Sequence, residues 1–469
     1  MQNYQIEMER ELAEIRKSGL RPLLVLHACC APCSSAVLEK LNEDFRIIVF
    51  FYNPNIAPEG EFARRADEEE RLVREMGLAD VRVARGEYDA AAFYAAVRGH
   101  EGDPEGGARC GICFEQRLAA TARYAAQVGA DYFTTSLSIS PLKDAQRLNE
   151  IGAAAAAKYG VKYLYSDFKK KNGYARSLEL SRQYGLYRQD YCGCMFSKRE
   201  AEDRRAARLD MDALRAGLKP NDIGWTIEYH DEIDSTNTRA KALAAAGAAH
   251  GTLVLADRQT AGRGRFARPF YSPQHAGVYM SVILRPEIAP ERAVMITSMA
   301  AVAVARAMEH TVGVHAAIKW INDVYLNEKK ACGILCEAGL DAQRGGLDYV
   351  VMGIGVNVGR MQFPPELEET ATSLGNACGR AVSRTDFLAA LLAELNALWP
   401  KLDSEEILRE SRERSMVLGR DVLVLRGDER FWARAVAIEA DGSLTVETPD
   451  GRRISLHSGE VSLKIRPGA

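Results

Sequence analysis

The sequence lacks any run approaching the roughly 18–20 consecutive apolar residues that a membrane-spanning helix needs. No membrane partner is therefore expected. The N-terminal stretch MQNYQIEMERELAEIRKSG has helical period and mixed charge but no apolar core of the kind a secretory signal carries. Strong net charge is missing too: 61 basic against 64 acidic residues leave −3. A nucleic-acid partner would have to bind a local basic patch. There is no Gly-Lys-Ser/Thr phosphate loop. Together these absences point to a cytoplasmic protein, in which clustered thiols stay reduced and serve as metal ligands or redox groups more readily than as disulfides. The 469 residues are long for one domain and suggest two or three.

What is present begins with an apolar strand, Leu23-Leu24-Val25-Leu26, running into His27-Ala28-Cys29-Cys30-Ala31-Pro32-Cys33 and then a helix from Ser34. In doubly wound α/β folds such a strand-to-helix turn lies at the carboxyl end of the sheet, where ligands bind. Strand and helix patterns then alternate: strands at 46–52, 81–84, 131–135 and 161–165, and helices at 61–76, 88–97 and 144–158. This alternation predicts a parallel sheet covered by helices.

Seven of the ten cysteines precede residue 195, in three groups: Cys29/Cys30/Cys33, Cys110/Cys113 and Cys192/Cys194. The Cys-x-x-Cys spacing lets two sulfurs reach one metal centre, and a helix start favours thiolate over thiol. A tetrathiolate zinc site with spare thiols, and an iron–sulfur cluster at the mouth of the sheet, both fit thiol-only ligation. Between the last strand and the last cysteine pair, Lys169, Lys170, Lys171, Arg176 and Arg188 are interleaved with tyrosines that include Tyr174 and Tyr187. Such a segment could neutralise phosphates and stack on unpaired bases.

The segments HACCAPC, RCGICFEQRL, SLSISPLKD, DFKKKNGYARS and YGLYRQDYCGCMFS together resemble the QueH family of epoxyqueuosine reductases, over about residues 20–205. The resemblance implies a Rossmann-like, adenine-nucleotide-hydrolase-like domain that reduces epoxyqueuosine in tRNA to queuosine. It implies a [4Fe–4S] cluster and an adjacent iron ion. On that resemblance Cys29, Cys30, Cys110 and Cys113 are metal ligands, and Cys33, Cys192 and Cys194 serve the second iron or form a redox pair. The lysine- and tyrosine-bearing segment would meet the tRNA anticodon loop.

Residues 199–217 have helical period, and the boundary is placed near residue 220: a first domain at 1–215, a linker at 216–226, a second domain at 227–415 and a small β-barrel at 416–469. The second half opens with Asp234-Ser235-Thr236-Asn237, a helix cap. Gln259 then precedes Gly262-Arg263-Gly264-Arg265, with Arg268 beyond. Glycines let the backbone approach an anion, and the arginines offer bidentate donors to phosphate or carboxylate. Ile318 to Tyr325 holds Lys319, Trp320, Asn322 and Asp323, residue types suited to an adenylating site. Lys330 and Gly333 fall on one predicted strand, and Gly353, Gly355 and Asn357 on another. Cys332, Cys336 and Cys378 read as small buried residues.

This set, in this order, resembles biotin protein ligase over about residues 226–465, with an α+β catalytic domain followed by a small C-terminal β-barrel. The resemblance implies formation of biotinyl-5′-AMP from biotin and ATP, and transfer of biotin to a lysine of biotin carboxyl carrier protein. Lys330, Arg263 and Arg265 then carry catalysis. Arg268 joins the glycine–arginine loop, Asp323 takes part in Mg2+ binding, and Ser235, Thr236 and Gln259 hydrogen-bond the biotin ureido ring. The chain departs from the family at Phe266, Ala267, Phe270 and Ile321, where arginine, glycine, tryptophan and proline are usual. Repressor members carry a DNA-binding domain where this chain has its thiol-rich half, so DNA binding is not expected. The competing expectations are a zinc-stabilised, non-redox RNA-binding module for the first half, and lipoate ligase or a non-catalytic biotin sensor for the second.

Overall fold

The computed structural model describes residues 3–265, 268–340, 346–426, 429–457 and 464–465. The chain forms two compact units, Met1–Ala201 and Glu202–Ala469.

In the first unit Leu23–His27 (β1), Arg46–Phe51 (β2), Val81–Arg85 (β3), Tyr132–Thr135 (β4) and Lys162–Tyr163 (β5) form a parallel sheet in the order β3-β2-β1-β4-β5. Strand periodicity sends alternate side chains to opposite faces. Leu24, Leu26, Ile47 and Val49 pack on one side with Met8, Val37 and Leu41. Val25, Ile48 and Phe133 pack on the other with Ala122 and Ala125. Both faces are covered, as a parallel sheet requires. Chain order reverses at β1, between β2 and β4, so a crevice opens at its carboxyl end, immediately before Cys29.

Residues 199–217 do not form one helix. Met195–Ala206 and Met211–Ala216 are separate. The division between units falls after Ala201, earlier than the boundary expected from composition. The reason is packing. Leu214 joins the core of the second unit, and the Ala207 carbonyl accepts from Arg384 at 2.7 Å. The stretch 216–226 is not a free tether either: Ile223 is buried, and its N–H donates to Asn396 Oδ1 at 2.7 Å.

The second unit is built on a seven-stranded sheet. Its strands are Ile227–His230 (β6), Leu253–Ala256 (β7), Gly277–Leu284 (β8), Ala316–Lys319 (β9), Asp323–Leu326 (β10), Lys329–Leu340 (β11) and Leu347–Asn357 (β12), in the order β6-β7-β8-β12-β11-β10-β9. Only β6 and β7 pair in parallel. Met352, Ile354 and Val356 share a core with the buried helix Val294–Val312, behind which lies Arg384–Leu398. The opposite face presents Gly353 and Gly355 of β12 beside Gly333 of β11, with Gly333 registered against Gly355. Three glycines at neighbouring positions leave that face flat, so a ligand can lie against the backbone.

Five further strands, Asp421–Arg426 (β13), Glu429–Ile438 (β14), Leu444–Glu447 (β15), Arg453–Leu456 (β16) and Lys464–Ile465 (β17), make an antiparallel sheet in the order β16-β15-β14-β13-β17. This is the small C-terminal domain.

Candidate active sites

At the end of β1 the helix Ala31–Leu41 begins, with Cys30 as its N-cap and Pro32 in its first turn. The sulfurs of Cys29, Cys30 and Cys33 lie within 4.8 Å of one another. Cys30 is drawn well below the usual thiol range because Cys29 and Cys33 hydrogen-bond to its sulfur, whereas Cys29 and Cys33 are pushed up in exchange. Three thiols this close titrate as one coupled system.

Cys110 and Cys113 lie in the first turns of helix Ala108–Gln127, which starts two residues earlier than its first cysteine. Gly111 between them lies under the Arg147 guanidinium, 1.8 Å from where a Cβ would be, and that guanidinium donates to the Gly106 and Gly107 carbonyls. Cys110 Sγ accepts the Gly106 N–H at 3.2 Å and packs in one apolar cluster with Cys29 and Cys30. Cys113 packs with Cys194. Burial pushes the Cys113 thiol up to about 12.

The Cys192-Gly193-Cys194 segment is brought in by the loop after β2. The Ala57 N–H donates to the Gly193 carbonyl at 3.0 Å, and Arg65 Nη1 donates to the Cys192 carbonyl at 2.9 Å. Gly193 has φ +149°, and a Cβ there would meet Ile56 at 2.9 Å. The sulfur of Cys194 is engaged by Ser197 at 3.4 Å. Cys192 lies within electrostatic reach of Cys110, Cys113 and Lys143. All seven expected thiols are thus in the same region of one unit, and all are free.

Several residues of this region were not singled out from sequence. Arg117 sits four positions after Cys113, on the same helix face, and is completely buried. Lys143 is buried and paired to Glu105 at 2.7 Å; desolvation pulls it down, but its neighbours Cys192 and Glu105 outweigh that and raise it above the ordinary lysine range. Glu69 is wholly buried against Ser34, and desolvation lifts its carboxyl to about 8. His27 is buried with Nδ1 2.9 Å from Thr135 Oγ1 and Nε2 3.2 Å from the Tyr52 carbonyl. Burial lowers it to about 3, so it is a neutral structural residue. Helical spacing from Cys113 was the one signal that could have found Arg117.

The basic segment looks different in three dimensions. Lys169 and Lys170 pair with Asp167, Lys171 with Glu9, and Arg176 with Glu39 and Glu179. Arg188 donates to Ser181 Oγ at 3.1 Å, and Tyr187 lies under Arg64, 3.4 Å from guanidinium carbon to ring centre. Tyr174 is half-buried. These cations are therefore not an unopposed strip.

The second unit has its own cleft over the glycine face. Ser235 Oγ caps its helix, and the Thr236 N–H and Oγ1 both reach Gln259 Oε1, at 2.9 and 3.1 Å. Asn237 Nδ2 donates to Glu337 at 2.9 Å. A Cβ on Gly355 would lie 2.6 Å from the Phe270 ring, and one on Gly353 2.0 Å from Asn237 Oδ1. Phe270 therefore covers the glycine floor in the place expected for tryptophan. The cations line the walls: Arg263, Arg265, Arg268, Lys319 and Lys330, with Gly264 in the loop between. Lys330 Nζ is 2.7 Å from Asp323 Oδ1, and Arg265 Nη1 is 3.0 Å from Asn322 Oδ1. Desolvation is the main cause lowering Arg265 and Lys319. Charges crowded into a partly dry cleft in this way favour an anionic occupant.

Two expected residues do not line the cleft. Gly262 packs against Ser272, and Asn357 Nδ2 donates to the Thr372 carbonyl at 3.0 Å. Trp320 touches the cleft but is 6% exposed, and its indole N–H donates to the Gly442 carbonyl in the small domain. The Trp320–Ile321 peptide is cis. Phe266 and Ala267 lie outside the described residues.

Three family models match. "Epoxyqueuosine reductase QueH" covers residues 24–200, "Biotin/lipoate A/B protein ligase family" 229–357, and "Biotin protein ligase C terminal domain" 417–464. An epoxyqueuosine reductase QueH of Streptococcus pyogenes serotype M1 is 40% identical over 218 residues, 46% of this chain and 86% of that protein. The bifunctional ligase/repressor BirA of Bacillus subtilis strain 168 is 35% identical over 267 residues, 55% of this chain and 81% of that protein. A biotin protein ligase from Aquifex aeolicus, solved with biotin and ATP, is 28% identical, with a TM-score of 0.45 over 51% of this chain and 99% of its own.

The two clefts thus belong to two classes of enzyme, an oxidoreductase and a ligase, carried on one polypeptide. The chain belongs to the QueH family of epoxyqueuosine reductases in its first unit and to the biotin protein ligase family in its second.

Proposed function

We propose that the first unit reduces epoxyqueuosine in tRNA to queuosine with a [4Fe–4S] cluster and an adjacent iron. The observation supporting this is the convergence of thiols from three separate segments at the switch point of a parallel sheet. The donor set fits such a group, being thiol-only and mostly buried, with Arg117 and Lys143 among it. Cys29, Cys30, Cys110 and Cys113 would hold the cluster, and Cys33, Cys192 and Cys194 the second iron or a redox pair. When bound, the group would relay electrons one at a time from an external reductant, two per turnover, and supply a Lewis acid for the departing oxygen. The chain's own residues exclude water around the thiols, through Phe114, Leu118, Leu137 and Leu148. The basic segment would meet tRNA by exchanging its surface carboxylates for phosphates, which is cheap because exposed ion pairs contribute little.

The second unit forms biotinyl-5′-AMP from biotin and ATP and passes biotin to a lysine of biotin carboxyl carrier protein. Five cations around a glycine floor support this reading. The difficulty of the step is bringing a carboxylate against an anionic phosphate, and fixed cations in a dry cleft lower that barrier. Lys330 would sit at the biotin carboxylate. Asp323, now held by Lys330, would share its carboxylate with Mg2+. Ser235, Thr236 and Gln259 would hold the ureido ring, and Asn237 would support them. We assign the reductase to residues up to 201 and the ligase to the remainder, working in the cytoplasm. Among the described residues no helix is long and apolar enough to cross a membrane.

The test is a pair of assays on the full chain purified without oxygen. One follows loss of epoxyqueuosine from tRNA with a chemical reductant. The other follows ATP-dependent biotin transfer to a carrier domain. Conversion in both supports the assignment. Binding of tRNA without conversion would remove the reductase, and lipoylation without biotinylation would remove the biotin ligase.

A further inference from the structure

Four arginines of the described chain are almost wholly buried. Three have a carboxylate: Arg65 with Glu61 at 2.7 Å, Arg109 with Glu200 at 2.8 Å and Arg384 with Asp257 at 2.5 Å. Arg117 has none among the described residues. Its Nε reaches the Cys113 carbonyl at 3.3 Å and its Nη1 reaches Asn53 Oδ1 at 3.4 Å, both long. Its Nη2 is buried with no hydrogen-bond partner. The Phe114 ring lies 5.5 Å away on one side.

An uncompensated buried charge is strongly destabilising, so a fully buried guanidinium implies an anion nearby. Arg117 reaches the Cys113 carbonyl and lies beside Phe114, which packs with Cys29, Cys30 and Cys110, and the charges that raise it against desolvation are those of Cys113, Cys192, Cys29 and Cys110. We propose that Arg117 is the fixed counter-charge of the thiolate centre and that it holds the reduction potential of the bound cluster up. The inference rests on the cluster reading given above. The physics is Coulombic. Reduction adds one negative charge to the centre, and a neighbouring cation in a dry interior stabilises that added charge. An arginine suits the task because it stays charged when fully buried, and a lysine beside the same anionic centre keeps its charge too, as buried Lys143 does.

The experiment is a redox titration of the iron-loaded full chain, read by visible absorbance and electron paramagnetic resonance, in wild type and three variants. Arg117→Gln removes the charge. Arg117→Lys keeps it on a different shape. Asn53→Asp leaves the arginine in place and gives it the carboxylate it lacks, so it carries the test alone if Arg117→Gln does not fold. The expected result is a midpoint shifted to more negative potential in Arg117→Gln and Asn53→Asp, with Arg117→Lys nearer wild type. Loaded Gln and Asp variants at the wild-type midpoint would overturn the inference, as would a Lys variant displaced as far as the Gln variant, which would mean packing alone. A wild-type chain that holds neither iron nor sulfide would overturn the cluster reading and this inference together. A loaded wild type with unshifted variants overturns only the inference.

Discussion

Lys330 Nζ lies 2.7 Å from Asp323 Oδ1, across the hairpin that joins β10 to β11. The pair sets one carboxylate against one of the five cations that line the cleft. Lys330→Ala should lower the rate of biotin-dependent pyrophosphate release by about 10²–10³-fold, the usual cost of losing one donor at a developing charge. Asp323→Asn should lower it with a changed Mg2+ dependence. An unchanged rate in Lys330→Ala would remove this lysine from the chemistry.

The Trp320 indole N–H reaches the Gly442 carbonyl at 2.9 Å and so ties the Lys319–Asp323 segment to the small C-terminal domain. Trp320→Phe keeps most of the ring and deletes the donor, leaving a buried carbonyl without its partner. The expected cost is about 1–3 kcal/mol of unfolding free energy, measured by denaturant titration followed in the second unit. The KM for ATP should rise together with that loss. Normal stability with a normal KM would show that the bond is dispensable.

Gly355 has the Phe270 ring above it, 2.6 Å from where a Cβ would be. Gly355→Ala should overfill the cleft floor at a cost of roughly 1–3 kcal/mol. Biotin affinity by calorimetry should drop about tenfold or more, tenfold being about 1.4 kcal/mol. Combining it with Phe270→Leu should recover part of the loss. Failure of the double variant to recover any would place the clash elsewhere.

Glu69 carries a pKa raised to about 8 by burial, against 4.5 for the ordinary group. The folded state therefore binds a proton that the unfolded state releases between those two values. Stability contributed at low pH is lost as pH rises from about 4.5 to about 8, by at most about 1.4 kcal/mol per pH unit. Glu69→Gln should flatten this dependence in the first unit and gain on wild type as pH rises. A constant difference between the two from pH 5 to pH 9 would contradict the assigned pKa.

Much of this fold was legible in one dimension. The apolar run before Cys29, the β-branched run at 46–52 and the glycines of β11 and β12 fell where the sheets need them, because strand burial and backbone approach are local properties of a few residues. The seven thiols were legible as a set, and the glycine–arginine loop and the lysine–tryptophan–asparagine–aspartate run were legible as a cleft. What escaped was set by partners distant in sequence. The lysines at 169–171 and Arg176 read as a free basic strip until Glu9 and Glu39, from remote helices, paired with them. Arg117 was one more helix residue in the sequence, and only the fold shows it completely buried. Trp320 read as one of the adenylating-site residues, and the bond from its N–H to Gly442, more than a hundred residues on, left no mark in the sequence. The boundary after Ala201 escaped because Leu214 finds its apolar partners in the second unit.

Iron and acid-labile sulfide in the full chain, purified without oxygen, decide whether the thiols of the first unit hold an iron–sulfur centre. A brown protein with at least about four irons and four sulfides per chain is expected, both lost when Cys110 and Cys113 are replaced by serine. A colourless chain that instead carries zinc in those thiols would contradict the iron–sulfur assignment.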